Sequence, residues 1–276
     1  MSFKAVAWTL LATLAISAVW LLNYWAAYQP LSTLVYTGIV LALAGLANVI
    51  FPFRFLGVRK RLTGALILVG GVGLTAAALF WPARMIRVAQ HRTRLDDVMP
   101  EYQFNERHSA RVHARPEQAM QGVREATFSD MRSLITLLRI RGAVLRVPVR
   151  ASDWQNTRIL ESFSKSGYLS GATEHEIVMI GVVSMKAHRI ADVHTLQEAA
   201  DFRERGAVKM GYNFTVEDLG GGWSRISTET RLLALDETAR GAATYWRLIV
   251  PGSGLLRLQW LDGIRRRAES LGGARS

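Results

Sequence analysis

The amino-acid sequence predicts a membrane unit of three α-helices followed by an α+β domain, in which a curved antiparallel sheet packs against a long C-terminal helix. Residues 1–83 contain no Asp or Glu, and no charged residue lies between Lys4 and Arg54. From about residue 99 the chain alternates in hydrophobicity, as strands do, and then ends in a segment with helical periodicity. Strands that are segregated from helices along the chain are typical of the α+β class.

The composition excludes several classes of protein. The chain has 276 residues, a formal net charge of +12 and 50% hydrophobic residues, so it is too apolar to be disordered. It contains no cysteine, which excludes a disulfide scaffold and thiol chemistry. Its arginines are spread along the chain and are not interleaved with aromatic residues, so nucleic acid is not an expected partner.

Three apolar stretches approach the roughly 20 residues that a helix needs to cross a bilayer. They cover residues 5–28, 31–51 and 62–81, and the first extends well past the apolar core of a signal peptide, so we interpret it as an uncleaved anchor. Small residues in the second and third stretches indicate close helix packing, either within one unit or in a dimer. The predicted domains are a transmembrane region over 1–83, a basic juxtamembrane linker over 84–100 and a folded domain over 101–272.

The folded domain begins with a strand and a helix. Residues 103–113 alternate, with Phe104, His108, Ala110 and Val112 on one face, and Pro116 then starts a helix. Further helices are expected near 130–140 and 156–164. Residues 174–186 are apolar on both faces in their middle, which predicts a strand covered on both sides.

The second half of the domain predicts a hairpin and a terminal helix. Residues 207–216 and 223–235 alternate around a Gly220–Gly222 turn, and we expect the face with Arg225, Ser227, Glu229 and Arg231 to be solvated. The terminal helix should bend or break at Pro251–Gly254. Its resumed part carries Leu258 and Leu261 on an apolar face.

Four segments of this domain resemble a known superfamily. They are ERHSARVHARPEQAMQGVREA, EHEIVMIGVV, WSRISTETRLLALDETAR and YWRLIVPGSGLLRLQWLDGIRRRAE. Between about residues 101 and 269 the chain is similar to a bacterial branch of the START-like, helix-grip superfamily, also called SRPBCC or the polyketide-cyclase/lipid-transport superfamily. The resemblance implies a sheet that grips the terminal helix around a pocket for a lipid or another apolar molecule. The three-helix membrane unit is a departure from the many soluble members of this superfamily. Together with the bacterial branch, the three apolar stretches predict a multi-pass protein of the bacterial inner membrane, and the Lys and Arg of the short flanks favour an extracytoplasmic domain.

The candidate binding residues lie on the inward strand face and on the terminal helix. We expect a ligand cavity lined by Met210, Tyr212, Phe214, Ile226, Thr228, Thr230, Leu232, Trp246, Leu258 and Leu261. The two threonines either orient a ligand or form a cross-strand contact within the core. Contact with the membrane surface is expected from Arg84, Arg87, Arg92 and Arg94. No histidine pair has metal-binding spacing, so neither a metal nor another cofactor is expected.

These features predict a membrane-anchored, non-catalytic binding module for a lipid or another hydrophobic small molecule. Its expected partners are the bilayer and that molecule, and the sequence leaves the oligomeric state open. One alternative is an enzyme of the same fold that acts on an apolar substrate, which requires an acid or base on the inward face. The other is a membrane scaffold whose domain binds a partner protein.

Overall fold

A computed structural model describes residues 14, 17–18, 20–26, 28–50, 61–145, 156–184 and 189–273. The chain divides into two compact units. The first comprises Met1–Pro82 and Thr244–Ser253, and the second comprises Ala83–Ala243 and Gly254–Ser276. A short piece of the C-terminal helix therefore groups with the apolar N-terminal region, whereas the predicted domain boundaries kept 101–272 together.

Two helices of the first unit are long and apolar enough to cross a membrane. They are α1, Pro30–Ile50, and α2, Arg61–Phe80. Both consist mainly of apolar and small residues, so few charged groups would have to be desolvated in a bilayer. The helical conformation also satisfies the backbone hydrogen bonds internally, as the bilayer core requires. Residues 20–26 are also helical, but most of the predicted first span and the segment 51–60 lie outside the described residues.

Glycines bring α1 and α2 into direct contact. A Cβ atom on Gly71 would lie 2.7 Å from the carbonyl oxygen of Gly38, and one on Gly64 would lie 2.6 Å from Asn48 Oδ1. A larger residue at either position would push the helices apart, because a side chain has no space between them. A Cβ atom on Gly70 or Gly73 would meet no other atom of the described residues within 4 Å. Gly38, Gly64 and Gly71 thus allow α1 and α2 to pack closely inside the first unit.

The segment Thr244–Ser253 is bonded to these two helices within the first unit. Arg247 Nη1 donates hydrogen bonds to the carbonyl oxygens of Ala78, at 3.0 Å, and Leu79, at 2.6 Å. The last carbonyls of a helix lack partners within it, and a cation there also suits the helix dipole. The hydroxyl of Tyr36 donates to the carbonyl of Leu248.

The second unit contains eight described strands. They are β1 Ile86–Arg87, β2 Glu101–Tyr102, β3 Phe104–Val112, β4 Leu169–Ala172, β5 Glu176–Ser184, β6 Arg189–Ile190, β7 Ala207–Gly220 and β8 Trp223–Ala234. Six of them form an antiparallel sheet in the order β3-β8-β7-β5-β4, with β6 paired to β5, and β1 and β2 form a separate pair. The helices are α3 Arg94–Val98, α4 Pro116–Glu125, α5 Leu134–Leu145, α6 Ile159–Lys165, α7 Leu196–Asp201 and α8 Glu237–Gly273, with a 3₁₀ turn at Phe128–Asp130.

Local sequence signals account for most of these elements. Pro116 occupies the start of α4, where a missing N–H costs nothing. The hairpin β7–β8 turns through Gly220, Gly221 and Gly222, whose φ angles of 75°, 60° and 78° favour glycine. The strand β5 is buried over most of its length, as its apolar run predicts. The predicted strands and the α+β class are confirmed.

Both faces of the sheet are covered. The inner face packs in the main apolar core with residues of α4, α6 and α8, among them Val123, Trp260, Leu261 and Ile264. The outer face packs against α3 and α7 through two smaller clusters, which include Leu95, Met99 and Ala199. The segment 84–100, predicted as a linker, contributes β1 and α3 to this second unit.

Two local predictions need correction. The helix α8 runs without interruption from Glu237 to Gly273, so the chain does not break at Pro251, although proline in a helix interior costs about 3 kcal/mol. The face of β8 that carries Arg231 was expected to be solvated, but Ser227 and Arg231 are buried there, because α3 covers the sheet at this point.

Candidate functional site

The helix α8 turns a charged residue towards the inner face of the sheet. Arg257 is 6% exposed, whereas the neighbouring Leu258, predicted to line a cavity, is 39% exposed. Within the second unit, buried positions of this helix include Gly254, Arg257, Trp260, Leu261, Ile264 and Ala268, which follow a helical spacing of three and four residues. Arg257 thus occupies a position at which the helical periodicity predicts an apolar side chain.

The guanidinium of Arg257 contacts hydroxyls and aromatic rings. Nη1 donates to Thr228 Oγ1 at 3.2 Å, and Nη2 donates to Thr230 Oγ1 at 2.7 Å. Its Cζ lies 4.9 Å from the ring centre of Tyr212 and 5.1 Å from that of Trp260. Within the described residues, no carboxylate forms an ion pair with it. Burial lowers the pKa of Arg257, and Tyr212 and Glu106 offset this only in part.

An acidic residue and a histidine lie on the same face, on the edge strand β3. Glu106 is 5% exposed, and its Oε1 lies 2.7 Å from His108 Nε2. The register pairs Glu106 with Thr230 and His108 with Thr228, so this pair lies beside the two hydroxyls that Arg257 contacts. Glu106 Oε2 and Trp260 Nε1 are buried without a hydrogen-bond partner in the structure. We define Arg257, Glu106, His108, Thr228 and Thr230 as the inner polar cluster.

Aromatic rings and a thioether surround the inner polar cluster. The ring centre of Trp260 lies 4.6 Å from that of Phe214 and 6.4 Å from that of Phe163. Phe163 in turn contacts Tyr168, at 5.1 Å, and Tyr212, at 5.4 Å. The hydroxyl of Tyr168 donates to the sulfur of Met210 at 3.6 Å. The polar cluster is therefore bordered by aromatic and apolar side chains that belong to the main core or pack against it.

Sequence reasoning missed two of these residues. Glu106 shares the even-numbered face of β3 with Phe104 and His108, so the alternation alone would have placed it inward. Arg257 was missed because the apolar face of α8 was assigned from its leucines. No comparable signal in the sequence marks Trp260 Nε1 as unpartnered.

The outer face of the sheet carries a second charged cluster with a different arrangement. Arg231 is 5% exposed, and its Nε and Nη2 donate to Glu229 Oε1 and Asp96 Oδ1, both at 2.7 Å. Its Nη1 donates to the carbonyl of Met99 at 3.1 Å, and its Cζ lies 4.7 Å from the ring centre of Tyr102. Burial would raise the pKa of Asp96, but hydrogen bonds from the Arg92 backbone and from Arg231 outweigh it and lower that pKa. We call this group the outer ion cluster.

The structure brings most of the predicted cavity residues together. Tyr212, Phe214, Ile226 and Leu261 are members of the main core, and Met210 packs against it. Thr228, Thr230 and Leu232 are buried on the same inner face. Trp246 is buried in the first unit, and Leu258 lies on the exposed side of α8. Eight of the ten predicted residues therefore share the inner face, and Trp246 and Leu258 do not.

The four arginines predicted to meet the membrane surface are all exposed. Arg87 pairs with Glu101 at 2.9 Å, and Arg92 donates to Gln90 at 2.7 Å. Arg92 and Arg94 also line an open cleft of about 520 Å³, together with His91, Thr93, Asp97, Thr173, His175, Glu176, Thr215 and Val216. The carboxylate of Glu176 is occupied there, since it accepts from the backbone of Arg94 at 2.7 Å and from Asn213 Nδ2 at 2.9 Å.

In the described part of the chain, His, Asp and Glu form no group of three that could hold a metal ion.

The chain matches no protein-family model, and neither the curated proteins nor the solved structures include a significant match to it. The resemblance to the START-like superfamily consequently remains an expectation from the sequence.

Proposed function

We propose that this protein is a membrane-anchored binding module that holds a lipid or another hydrophobic small molecule on the inner face of its sheet. The observation that supports the proposal is the incomplete bonding of the inner polar cluster. Among the described residues, Glu106 Oε2 and Trp260 Nε1 lack hydrogen-bond partners, and the contacts of the Arg257 guanidinium are with hydroxyls and aromatic rings. Buried polar groups in proteins are nearly always paired, so unpaired groups at one place indicate a partner from outside the chain.

The surroundings of the cluster support an apolar ligand with a polar end. Trp260, Phe163, Tyr168 and Met210 offer hydrocarbon and ring surface next to the unpaired atoms. Ligand sites of this kind are mainly hydrophobic, with a few polar groups that fix orientation. A helix-grip arrangement of the START-like type, in which α8 lies over the sheet, is the fold that we propose for this unit.

The anchor supports delivery from or to a bilayer. We propose three spans, of which α1 and α2 have the required length and composition, in the inner membrane of a bacterium with the second unit on the extracytoplasmic side. Tethering keeps the local concentration of the binding unit near lipid high. A reporter fused to the C-terminus that is active only outside the cytoplasm supports this orientation, and one active only inside it overturns the orientation.

The binding function is tested with the full chain in mild detergent. Bound molecules are extracted and identified by mass spectrometry from the wild type, from Met210→Trp and from Leu258→Trp. Met210→Trp fills space on the inner face, whereas Leu258→Trp adds the same bulk to the exposed side of α8. We expect a molecule in stoichiometric amount in the wild type and in Leu258→Trp but not in Met210→Trp. Equal lipid content in all three would identify only bulk membrane lipid and would contradict the proposal.

An enzyme of the same fold is the second candidate, and the pair Glu106–His108 is the observation that favours it. A carboxylate bonded to a histidine at 2.7 Å can move a proton to or from a bound molecule. The test is to incubate the extracted molecule with the chain and to follow its mass over time. A change that His108→Asn abolishes while the molecule still binds would establish catalysis, whereas an unchanged mass supports the binding module.

A further inference from the structure

The helix α5 combines an apolar composition with an exposed side. Its sequence is LITLLRIRGAVL, in which only Thr136, Gly142 and two arginines are not apolar. A helix that is apolar on all sides is normally buried on all sides. Ile140 of this helix is nevertheless 57% exposed. The second unit thus leaves part of an apolar helix in contact with its surroundings.

The start of α5 is attached firmly to the rest of the second unit. Leu134 belongs to the main core, and Leu138 packs against that core. Ser133 exchanges two hydrogen bonds of 2.9 Å with Gln259 of α8, one from its backbone N–H to Gln259 Oε1 and one from Gln259 Nε2 to its Oγ. The inner side of the helix is therefore fixed, and so is the orientation of its outer side.

The outer side of α5 carries positive charge. Its exposed residues recur at spacings of three and four residues, which places them on one side of the helix and of the turn before it. They are Arg132, Thr136, Arg139, Ile140 and Ala143, and we call them the α5 face. In the part of the chain that the structure describes, neither arginine forms an ion pair, unlike Arg225, which pairs with Glu217 at 2.7 Å.

The sequence around the α5 face excludes negative charge. Residues 131–152 contain five arginines and no Asp or Glu. A basic and apolar helix surface is complementary to an anionic bilayer, whose headgroups attract the arginines and whose acyl chains accept the apolar side chains. An acidic protein would match the arginines as well. The two helices that are long enough to cross a membrane favour the bilayer, because tethering keeps its local concentration high.

We infer that the α5 face is a second membrane contact of this chain, which binds the surface of an anionic bilayer. Arg132 and Arg139 lie among the lipid headgroups, and Ile140 enters the boundary between headgroups and acyl chains. The inference goes beyond the proposed function, since it requires the membrane helices but no molecule on the inner face of the sheet.

The chain contains no cysteine, so a single introduced cysteine can be labelled specifically. The full chain with Ile140→Cys carries an environment-sensitive fluorophore, in nanodiscs of phosphatidylcholine alone or of phosphatidylcholine and phosphatidylglycerol in equal parts. In the anionic nanodiscs we expect a blue shift of the emission, protection from acrylamide and quenching by nitroxide-labelled lipid. The control is Ser164→Cys, an exposed position of α6 beside the paired charges of Glu161 and Lys165, which should stay accessible to acrylamide in both.

Charge variants test whether the arginines recognise the headgroups. Arg132→Gln and Arg139→Gln, each in the labelled Ile140→Cys chain, should lower the ratio of membrane-bound to free α5 about 5-fold, the effect of one cation near an anionic surface. Arg225→Gln removes the same charge from β8 and should leave that ratio unchanged. Near-ultraviolet circular dichroism first shows that each variant is folded. Unchanged protection of the label in both α5 variants would overturn the inference.

Other results of the labelling experiment would contradict it in distinct ways. Equal protection in the two kinds of nanodisc would show an apolar contact without recognition of charge. Protection only in nanodiscs that hold two chains would identify a second copy as the partner. A label that stays accessible in both nanodiscs, but is protected by added polyglutamate, would identify an acidic protein instead. The label at position 140 does not report on the inner face, so the proposed function and this inference fail separately.

Discussion

Arg231 and Arg257 are both buried, on opposite faces of the same sheet, but the chain pairs only one of them with carboxylates. Burial would lower the pKa of Arg231, but its bonds to Glu229 and Asp96 outweigh burial and raise that pKa. For Arg257 burial dominates and lowers the pKa. The outer ion cluster thus joins α3 to the sheet through paired charges, whereas the inner polar cluster contains two buried atoms, Glu106 Oε2 and Trp260 Nε1, without a partner among the described residues.

Removal of the arginine from the outer ion cluster should have the largest effect on stability. Arg231→Met leaves Asp96 and Glu229 without their main partner in a buried place. The loss of one partner from a buried ion pair costs about 3–5 kcal/mol of unfolding free energy. Denaturation of the full chain in detergent, followed by circular dichroism, measures the difference from the wild type.

The control for this prediction lies on the same strand. Arg225 pairs with Glu217 at 2.7 Å, but both side chains are largely exposed. Arg225→Met should therefore change the unfolding free energy by only about 0–1 kcal/mol. Equal losses in the two variants would mean that the outer ion cluster contributes no more than a surface ion pair.

Removal of the arginine from the inner polar cluster should cost less stability. Arg257→Met breaks no direct ion pair in the described residues, but it removes two hydrogen bonds to Thr228 and Thr230 and the nearby charge that acts on buried Glu106. We expect a decrease of about 1–3 kcal/mol in unfolding free energy, the range for hydrogen bonds to a charged group. Thermal unfolding of the delipidated full chain measures it, with Leu258→Met as the exposed neighbour that should change nothing. A loss as large as that of Arg231→Met would show that Arg257 serves the fold.

The sequence predicts the fold better than it predicts these two clusters. Alternation located β3, β7 and β8, because a strand repeats every two residues and a covered face must be apolar. It could not show that the polar face of β8 is covered, because the cover comes from α3, which is distant in the chain. The alternation therefore predicts an exposed Arg231, which would be correct if no helix covered that face of the sheet.

The candidate site was only half visible in the sequence, for a related reason. Thr228 and Thr230 were identified because their parity on β8 fixes the face. The rotation of α8 follows from the packing of Trp260, Leu261 and Ile264 in the main core, and a shift of one residue exchanges Leu258 for Arg257. The hydrophobicity pattern cannot reveal that exchange. A buried face that is assigned from its apolar residues never includes an arginine.

Lys209 provides a further comparison with Arg257, because it is a buried cation that can lose its charge. It is buried on the outer face, where its Nζ donates to the carbonyl of Ala200 at 2.5 Å. Burial, together with nearby Arg203, lowers its pKa to about 8. Like Arg257, it has no paired carboxylate in the described residues. A lysine can resolve this situation by losing its proton, which an arginine cannot do.

Stability should therefore respond to pH through Lys209. Above pH 8 the folded chain releases this proton while the unfolded chain, with an ordinary lysine pKa of 10.5, still holds it. The unfolded state then binds more protons, so the unfolding free energy rises between pH 8 and 10.5. Lys209→Met should abolish that rise, whereas Lys165→Met, at an exposed pair with Glu161, should retain it. Unfolding curves of the full chain from pH 7.5 to 9.5 decide the matter. A wild type with no rise would mean that Lys209 keeps its proton in the folded chain, and the contrast between a buried lysine and a buried arginine would then fail.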